Sequence, residues 1–215
     1  AIDNSHILVL SGGFSLGDEP DGSGKFIAGV LNNADVTKSV HALLDRGGLI
    51  LGICNGFQAL VKSGLLPYGR LGMVTTASPT LFHNDIHRHI SQIVTTRVGT
   101  TASPWLSSFK VGELHSIAVS HGEGKFVVSP ELAEELFASG QVAFQYTDAE
   151  GHATTDAPHN PNGSSYGIEG IISKNGQILG KMGHTERYTE GLFKNIAGQK
   201  CQNIFDNAVR YFKGE

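Results

Sequence analysis

The stretch with the most chemical content is Gly52-Ile53-Cys54-Asn55-Gly56-Phe57-Gln58. A cysteine between an apolar strand pattern and a helix pattern stands on a sharp turn at the carboxyl edge of a sheet. Glycines two residues before and after it let neighbouring backbone pass close by. This is the nucleophile-elbow arrangement with Cys in place of Ser. The following helix directs the positive end of its dipole at the sulfur, which lowers the thiol pKa and favours the thiolate. The backbone N–H of Asn55 is placed to meet the oxygen of a tetrahedral intermediate. The competing reading is a buried structural cysteine, the usual fate of a free thiol. A thiolate nucleophile also needs a base and a group that orients the base. Among ten histidines, His184 stands out, because His184-Thr185-Glu186 follows the apolar run 178–182 in a glycine-flanked turn. An i, i+2 spacing in extended backbone projects both side chains to one side. Glu186 can then hold the imidazole while the imidazole serves Cys54. An isolated His-x-Glu is a common surface pattern; with the elbow it makes a triad.

These residues need elements to position them. Ile7-Leu8-Val9-Leu10 and Leu49-Ile50-Leu51-Gly52-Ile53 are continuous apolar runs, which suits strands covered on both faces. Between them, residues 25–46 carry apolar side chains at helical spacing. Asn32-Asn33 divides that segment and Gly47-Gly48 ends it. Residues 18–24 read as a loop, and Asn55 to Ser63 as a helix closed by Gly64. Strand, helix pair, strand and helix imply parallel strands with crossovers. Further strands are predicted at 90–97, 115–120, Val142–Tyr146, 167–173 and 178–182, and amphipathic helices at 130–139 and 200–212. Lys174-Asn175-Gly176-Gln177 contains the Asn-Gly pair of a tight hairpin. Residues 148–165 form the longest loop. The expected class is α/β, a largely parallel sheet flanked by helices.

Composition narrows the partners. Sixteen basic against twenty acidic residues give a net charge of −4, which argues against a strongly basic nucleic-acid binder or a polybasic membrane surface. No apolar run approaches the roughly 18 residues of a membrane span. Two cysteines, Cys54 and Cys201, make no disulfide framework and fit a reducing compartment, so a cytoplasmic location is expected. His83, His87 and His89 with Asp85 suggest a metal site only superficially, since nothing completes four ligands. They read as pocket-rim or surface side chains, and no metal is expected. Gly22-Ser23-Gly24-Lys25 lacks the Ser or Thr that a phosphate loop needs after its lysine. Arg88 and Arg187 read as partner-contacting or surface residues.

Gly-Ile-Cys-Asn-Gly-Phe-Gln with a distal His-x-Glu resembles the class I (triad) glutamine amidotransferases, a flavodoxin-like fold. Gly12-Gly13-Phe14-Ser15, Ser120-His121-Gly122-Glu123-Gly124 and Asn160-Pro161-Asn162-Gly163-Ser164 narrow the likeness to the glutaminases of phosphoribosylformylglycinamidine synthase. The resemblance implies hydrolysis of glutamine to glutamate and ammonia, the ammonia passing to a synthetase domain of the same or a partner chain. That synthetase makes formylglycinamidine ribonucleotide in purine biosynthesis; ATP and Mg2+ belong to it, and this chain needs no cofactor of its own. By the same resemblance Cys54 is the nucleophile, His184 the base and Glu186 its orienting partner. Gly13 and Asn55 supply the oxyanion hole, and Gly12, Gln58, Ser120, His121, Gly122 and Glu123 hold substrate. The family commonly has Pro before the His and between His and Glu, where this chain has Gly183 and Thr185, implying a less rigid turn. It also has a strand-helix-strand unit ahead of the Gly-Gly segment, so residues 1–215 are expected to be one glutaminase domain, incomplete at its N-terminus. Two alternatives stay open: a free-standing cysteine amidohydrolase acting on another γ-glutamyl amide, and a non-catalytic docking or regulatory module.

Overall fold

The structure, a computed structural model, describes residues 1–13 and 24–214. Phe14 and Ser15 of the Gly-Gly segment and residues 18–23 of the expected loop lie outside the described residues. In chain order the elements are β1 (Ile7–Leu10), α1 (Lys25–Leu31), α2 (Ala34–Asp45), β2 (Leu49–Ile53), α3 (Asn55–Ser63), the single turn α4 (Leu65–Tyr68), β3 (Thr80–His83), β4 (Ile90–Val98), β5 (Leu114–His121), β6 (Glu123–Val127), α5 (Pro130–Ala138), β7 (Val142–Tyr146), β8 (Ile168–Ile172), β9 (Ile178–Lys181) and α6 (Ile204–Lys213).

The break expected at Asn32-Asn33 is a helix start. The Asn33 side chain accepts from the N–H groups of Asp35 and Val36 and so caps α2, a contact of about 1 kcal/mol. Ser129 caps α5 in the same way, with Pro130 in the first turn. The Asn-Gly pair lies in the turn joining β8 to β9, where Gly176 has a φ of +74° and the strands pair antiparallel.

The seven-stranded sheet has the order β1-β2-β9-β8-β7-β4-β5, and β3 and β6 form a second, two-stranded sheet. The α/β class stands. The largely parallel sheet does not: parallel pairing is confined to β1 with β2 and β2 with β9, and the remaining four pairings are antiparallel. The reason lies in the connections. Past α3 the tight turn between β8 and β9 allows only an antiparallel pair, and β4 to β5 and β7 to β8 are joined by loops with no α-helix to carry a parallel crossover. Among the described residues β1 pairs with β2 alone and Val9 is 42% exposed. Burial on both faces therefore holds for β2, all five residues of which are buried, and not for β1.

The core packs α3 onto β2 and β9. Phe57 is fully buried and stacks with Phe126 of β6 at a centroid distance of 6.2 Å. Truncating a buried aromatic of this kind to alanine costs about 3–5 kcal/mol. Asn207 of α6 donates to the Trp105 carbonyl at 2.9 Å, which ties the last helix to the 3-10 turn Pro104–Leu106 between β4 and β5.

Candidate active site

Cys54 sits where β2 ends and α3 begins. Its φ of 53° and ψ of −106° are a strained conformation for a residue with a side chain, the kind held only where surroundings enforce it. Those surroundings are backbone. A Cβ on Gly52 would meet the Gly56 carbonyl at 2.7 Å, and one on Gly56 would strike the Leu10 carbonyl of β1. The close passage expected of these two glycines is therefore real. Cys54 is buried, and its Sγ lies 3.7 Å from the Ser120 carbonyl oxygen.

The thiolate expected from the helix dipole is not the resting state. Burial pushes the Cys54 thiol up to about 11, against the backbone N–H groups of Asn55 and Gly13 and the Arg187 charge, which pull it down; Glu186 adds to the rise. At neutral pH the sulfur keeps its proton. The same two N–H groups, those expected to form an oxyanion hole, both face it.

His184 is buried, and its Nδ1 lies 2.6 Å from Glu186 Oε1. Its Nε2 is buried without a hydrogen-bond partner among the described residues. Burial alone would raise the Glu186 pKa; the hydrogen bond from His184, the imidazole's charge and, more weakly, Lys181 outweigh it and hold the carboxyl below its ordinary value. Gly12 lies between His184 and Cys54, since a Cβ there would be 2.8 Å from His184 Cε1 and 3.3 Å from Cys54 Cβ. Any side chain at position 12 would push the imidazole away. Gly183 and Thr185, from which a looser turn was expected, are both held. The Gly183 N–H donates to Glu169, its carbonyl accepts from Lys181, and the Thr185 hydroxyl bonds Lys181 and Gln202.

One pocket is lined by Gly13, Cys54, Asn55, Gln58, Ser120, His121, Gly122 and Glu123, together with His89 and Arg187. The first eight are site residues read from the sequence, drawn from three separate stretches of chain. His89, read as a pocket-rim or surface histidine, is hydrogen-bonded to the Ser120 hydroxyl at 3.0 Å. Arg187, read as a surface or partner residue, turns its charge toward Cys54; its place beside Glu186 was the available signal. Gln58 is buried, donates its Nε2 to the Glu123 carbonyl, and leaves Oε1 without a partner.

Asn84 was missed. It is fully buried between β3 and β4 and organises the expected substrate loop at 120–124. Its N–H donates to the Gly122 carbonyl at 3.0 Å, and its Nδ2 to the His121 carbonyl at 2.8 Å. Its Oδ1 accepts from the Gly124 N–H at 3.1 Å and lies 3.2 Å from His121 Nδ1. With Oδ1 an acceptor, His121 Nδ1 carries the proton and Nε2 is a bare acceptor, buried and unpartnered. Burial, then the neighbouring His184 and His89, lower the His121 pKa to about 4, so the ring is neutral. Asn162 and Ser164 of the Asn-Pro-Asn-Gly-Ser motif buttress the same region from behind. Asn162 donates to the Gly124 carbonyl at 2.8 Å, and Ser164 Oγ accepts from the Phe126 N–H at 3.0 Å.

His83 and Asp85 are engaged elsewhere, with Glu123 at 3.3 Å and Lys125 at 2.5 Å respectively. Among the described residues no cluster of three or more His, Cys, Asp or Glu could hold a metal, and no helix is long and apolar enough to cross a membrane.

A family model described as a CobB/CobQ-like glutamine amidotransferase domain matches residues 1–212. The chain is 35% identical over 207 residues to the phosphoribosylformylglycinamidine synthase subunit PurQ of Chlorobaculum tepidum, covering 96% of this chain and 80% of that one. It is 32% identical over 208 residues to the PurQ subunit of Gloeobacter violaceus, covering 97% and 81%. Among solved structures it is similar to a chain of PurLQS from Thermotoga maritima, with a TM-score of 0.72 and 27% identity over 98% of this chain and 81% of that one.

Proposed function

The chain belongs to the CobB/CobQ-like glutamine amidotransferase family, and we propose that it is the glutaminase of a phosphoribosylformylglycinamidine synthase, with Cys54, His184 and Glu186 carrying the hydrolysis. The observation that supports this most is the single pocket where Cys54, two N–H groups aimed at its sulfur, and unpartnered polar atoms of Gln58 and His121 converge. Buried polar groups without partners are the exception in folded proteins, and a small polar amide substrate would satisfy them.

In this reading the γ-carboxamide of glutamine enters beside Cys54. Because the thiol is protonated at rest, attack on the amide carbon is coupled to transfer of the Sγ proton to His184 Nε2. The tetrahedral oxyanion is met by the N–H groups of Gly13 and Asn55. Glu186, ionised and hydrogen-bonded to Nδ1, stabilises the imidazolium. His184 then gives its proton to the departing nitrogen, and the C–N bond breaks to leave ammonia and a γ-glutamyl thioester on Cys54. Water, deprotonated by His184, cleaves the thioester to glutamate and returns the proton to sulfur. The ammonia goes to a synthetase partner, as the names PurQ and PurLQS borne by its relatives suggest.

The test is Cys54→Ala in the complex with that synthetase. Glutamine-dependent synthesis should vanish while ammonia-dependent synthesis stays within about twofold of wild type, because only the nucleophile for glutamine is removed. Equal loss of both would make Cys54 a structural residue. Cys201, exposed and bonded to Asn203, serves as control: Cys201→Ala should leave both activities unchanged.

A further inference from the structure

Two fully buried charges lie directly behind the His184 turn. Lys181, the last residue of β9, and Glu169 of β8 are both 0% exposed, on adjacent strands whose register pairs Gly170 with Lys181. Their charged atoms are 3.6 Å apart, and the ammonium also sits 5.2 Å from the Phe144 ring centroid. A buried ion pair is a poor source of stability, since the cost of taking both charges out of water offsets most of their attraction. Well-packed apolar side chains would serve the core as well.

What the pair holds is specific. Lys181 Nζ donates to the Gly183 carbonyl at 3.0 Å and to Thr185 Oγ1 at 3.2 Å, and Glu169 Oε1 accepts from the Gly183 N–H. These atoms belong to the residues immediately before and after His184. The fit leaves no slack: a Cβ on Gly183 would lie 2.7 Å from Glu169 Oε1, 3.0 Å from Lys181 Nζ and 2.6 Å from Ile117 Cγ2. The His184 N–H is itself anchored to the Ala118 carbonyl at 2.8 Å. The backbone is thus gripped on both sides of the imidazole by side chains that do not line the substrate pocket.

We propose that Lys181 and Glu169 are positioning residues for glutamine hydrolysis, a buried ionic clamp that sets the angle at which His184 faces Cys54. The inference rests on the triad reading above. Misplacement of a catalytic group by about 1 Å costs on the order of 10²-fold in rate, so losing the clamp should act on turnover rather than on substrate binding.

The experiment uses the complex with the synthetase. Lys181→Met combined with Glu169→Leu removes both charges and all three hydrogen bonds while keeping similar volumes. This pair should melt within a few degrees of wild type, keep its KM for glutamine within about threefold, and lose about 30- to 100-fold in glutamine-dependent kcat. Ammonia-dependent synthesis should be unchanged. A folded double variant with wild-type kcat, or with equal loss of both activities, overturns the proposal. Should it fail to fold, Thr185→Val decides, since it removes one arm of the clamp without burying a charge. Its kcat should fall by about three- to tenfold at unchanged KM, and Thr185→Ser should restore it; a wild-type kcat for Thr185→Val overturns the clamp equally. Cys54→Ala in parallel separates the two ideas: glutamine use surviving there refutes the triad, whereas its loss beside a fully active clamp variant refutes the clamp alone.

Discussion

Glu186→Gln changes one charge at the far end of the proposed triad and nearly nothing else in shape. In the structure the carboxylate accepts from His184 Nδ1 at 2.6 Å, and the Glu186 side chain is 39% exposed. A hydrogen bond to a charged group contributes roughly 1.5–3 kcal/mol and a neutral one roughly 0.5–1.5. Replacing one by the other therefore removes about 1–2 kcal/mol from the state in which His184 is an imidazolium. Partial exposure screens the charge and keeps the loss near the lower figure. At about 1.4 kcal/mol per tenfold, glutamine-dependent kcat/KM should fall by about fivefold. In the proposed mechanism His184→Ala removes both the proton acceptor for Cys54 and the acid for the leaving ammonia, and general acid–base catalysis contributes about 10²- to 10⁴-fold. The assay is glutamate release in the complex with the synthetase, with ammonia-dependent synthesis as the internal reference. If Glu186→Gln were more damaging than His184→Ala, Glu186 would be more than the orienting partner and the roles would need reassigning.

Alkylation of Cys54 by iodoacetamide, in protein without substrate, should keep accelerating with pH beyond 9 and level only near 11, because burial holds the thiol protonated; a plateau near pH 8 would mean that the thiolate exists at rest. His121 affects stability at acid pH. Its folded pKa of about 4 lies below the ordinary 6.5, so the unfolded chain takes up a proton first, and stability falls between about pH 6.5 and pH 4. The loss should total about 3 kcal/mol, and urea midpoints at pH 7 and pH 4.5 should differ less for His121→Asn than for wild type; an equal difference would show that His121 does not drive it.

How much of this was legible depended on whether the information was contiguous. β2, the elbow and α3 are a single run of residues in which burial, glycine spacing and helix start agree, so Cys54, Asn55 and Gln58 could be placed from the sequence. The capped break at Asn33 and the Asn-Gly turn between β8 and β9 are equally local. The parallel sheet was over-extended because the strand-helix alternation of the first third was carried into a region of antiparallel connections. β3 and β6 were missed because each is short and neither has an unbroken apolar run; only Leu81 of β3, and Gly124 and Phe126 of β6, are buried. With them went Asn84, whose neighbours His83 and Asp85 drew attention toward a metal that its own hydrogen bonds do not suggest.

Lys181 and Glu169 show the harder limit. Each is the one charged residue in an apolar strand, Ile-Leu-Gly-Lys and Ile-Glu-Gly-Ile-Ile. In a sequence such a residue reads as the end of a strand or its solvent face, because an unpaired buried charge is too costly. In the observed register Lys181 lies opposite Gly170, one residue along from Glu169, so the charges meet only through the long lysine side chain, at 3.6 Å, and a slip of register would carry the ammonium to different neighbours. The hairpin between them fixes that register. The turn residues Asn175 and Gly176, far from the chemistry in sequence terms, therefore decide whether the ammonium arrives beneath Gly183 and Thr185 or is left buried without a partner.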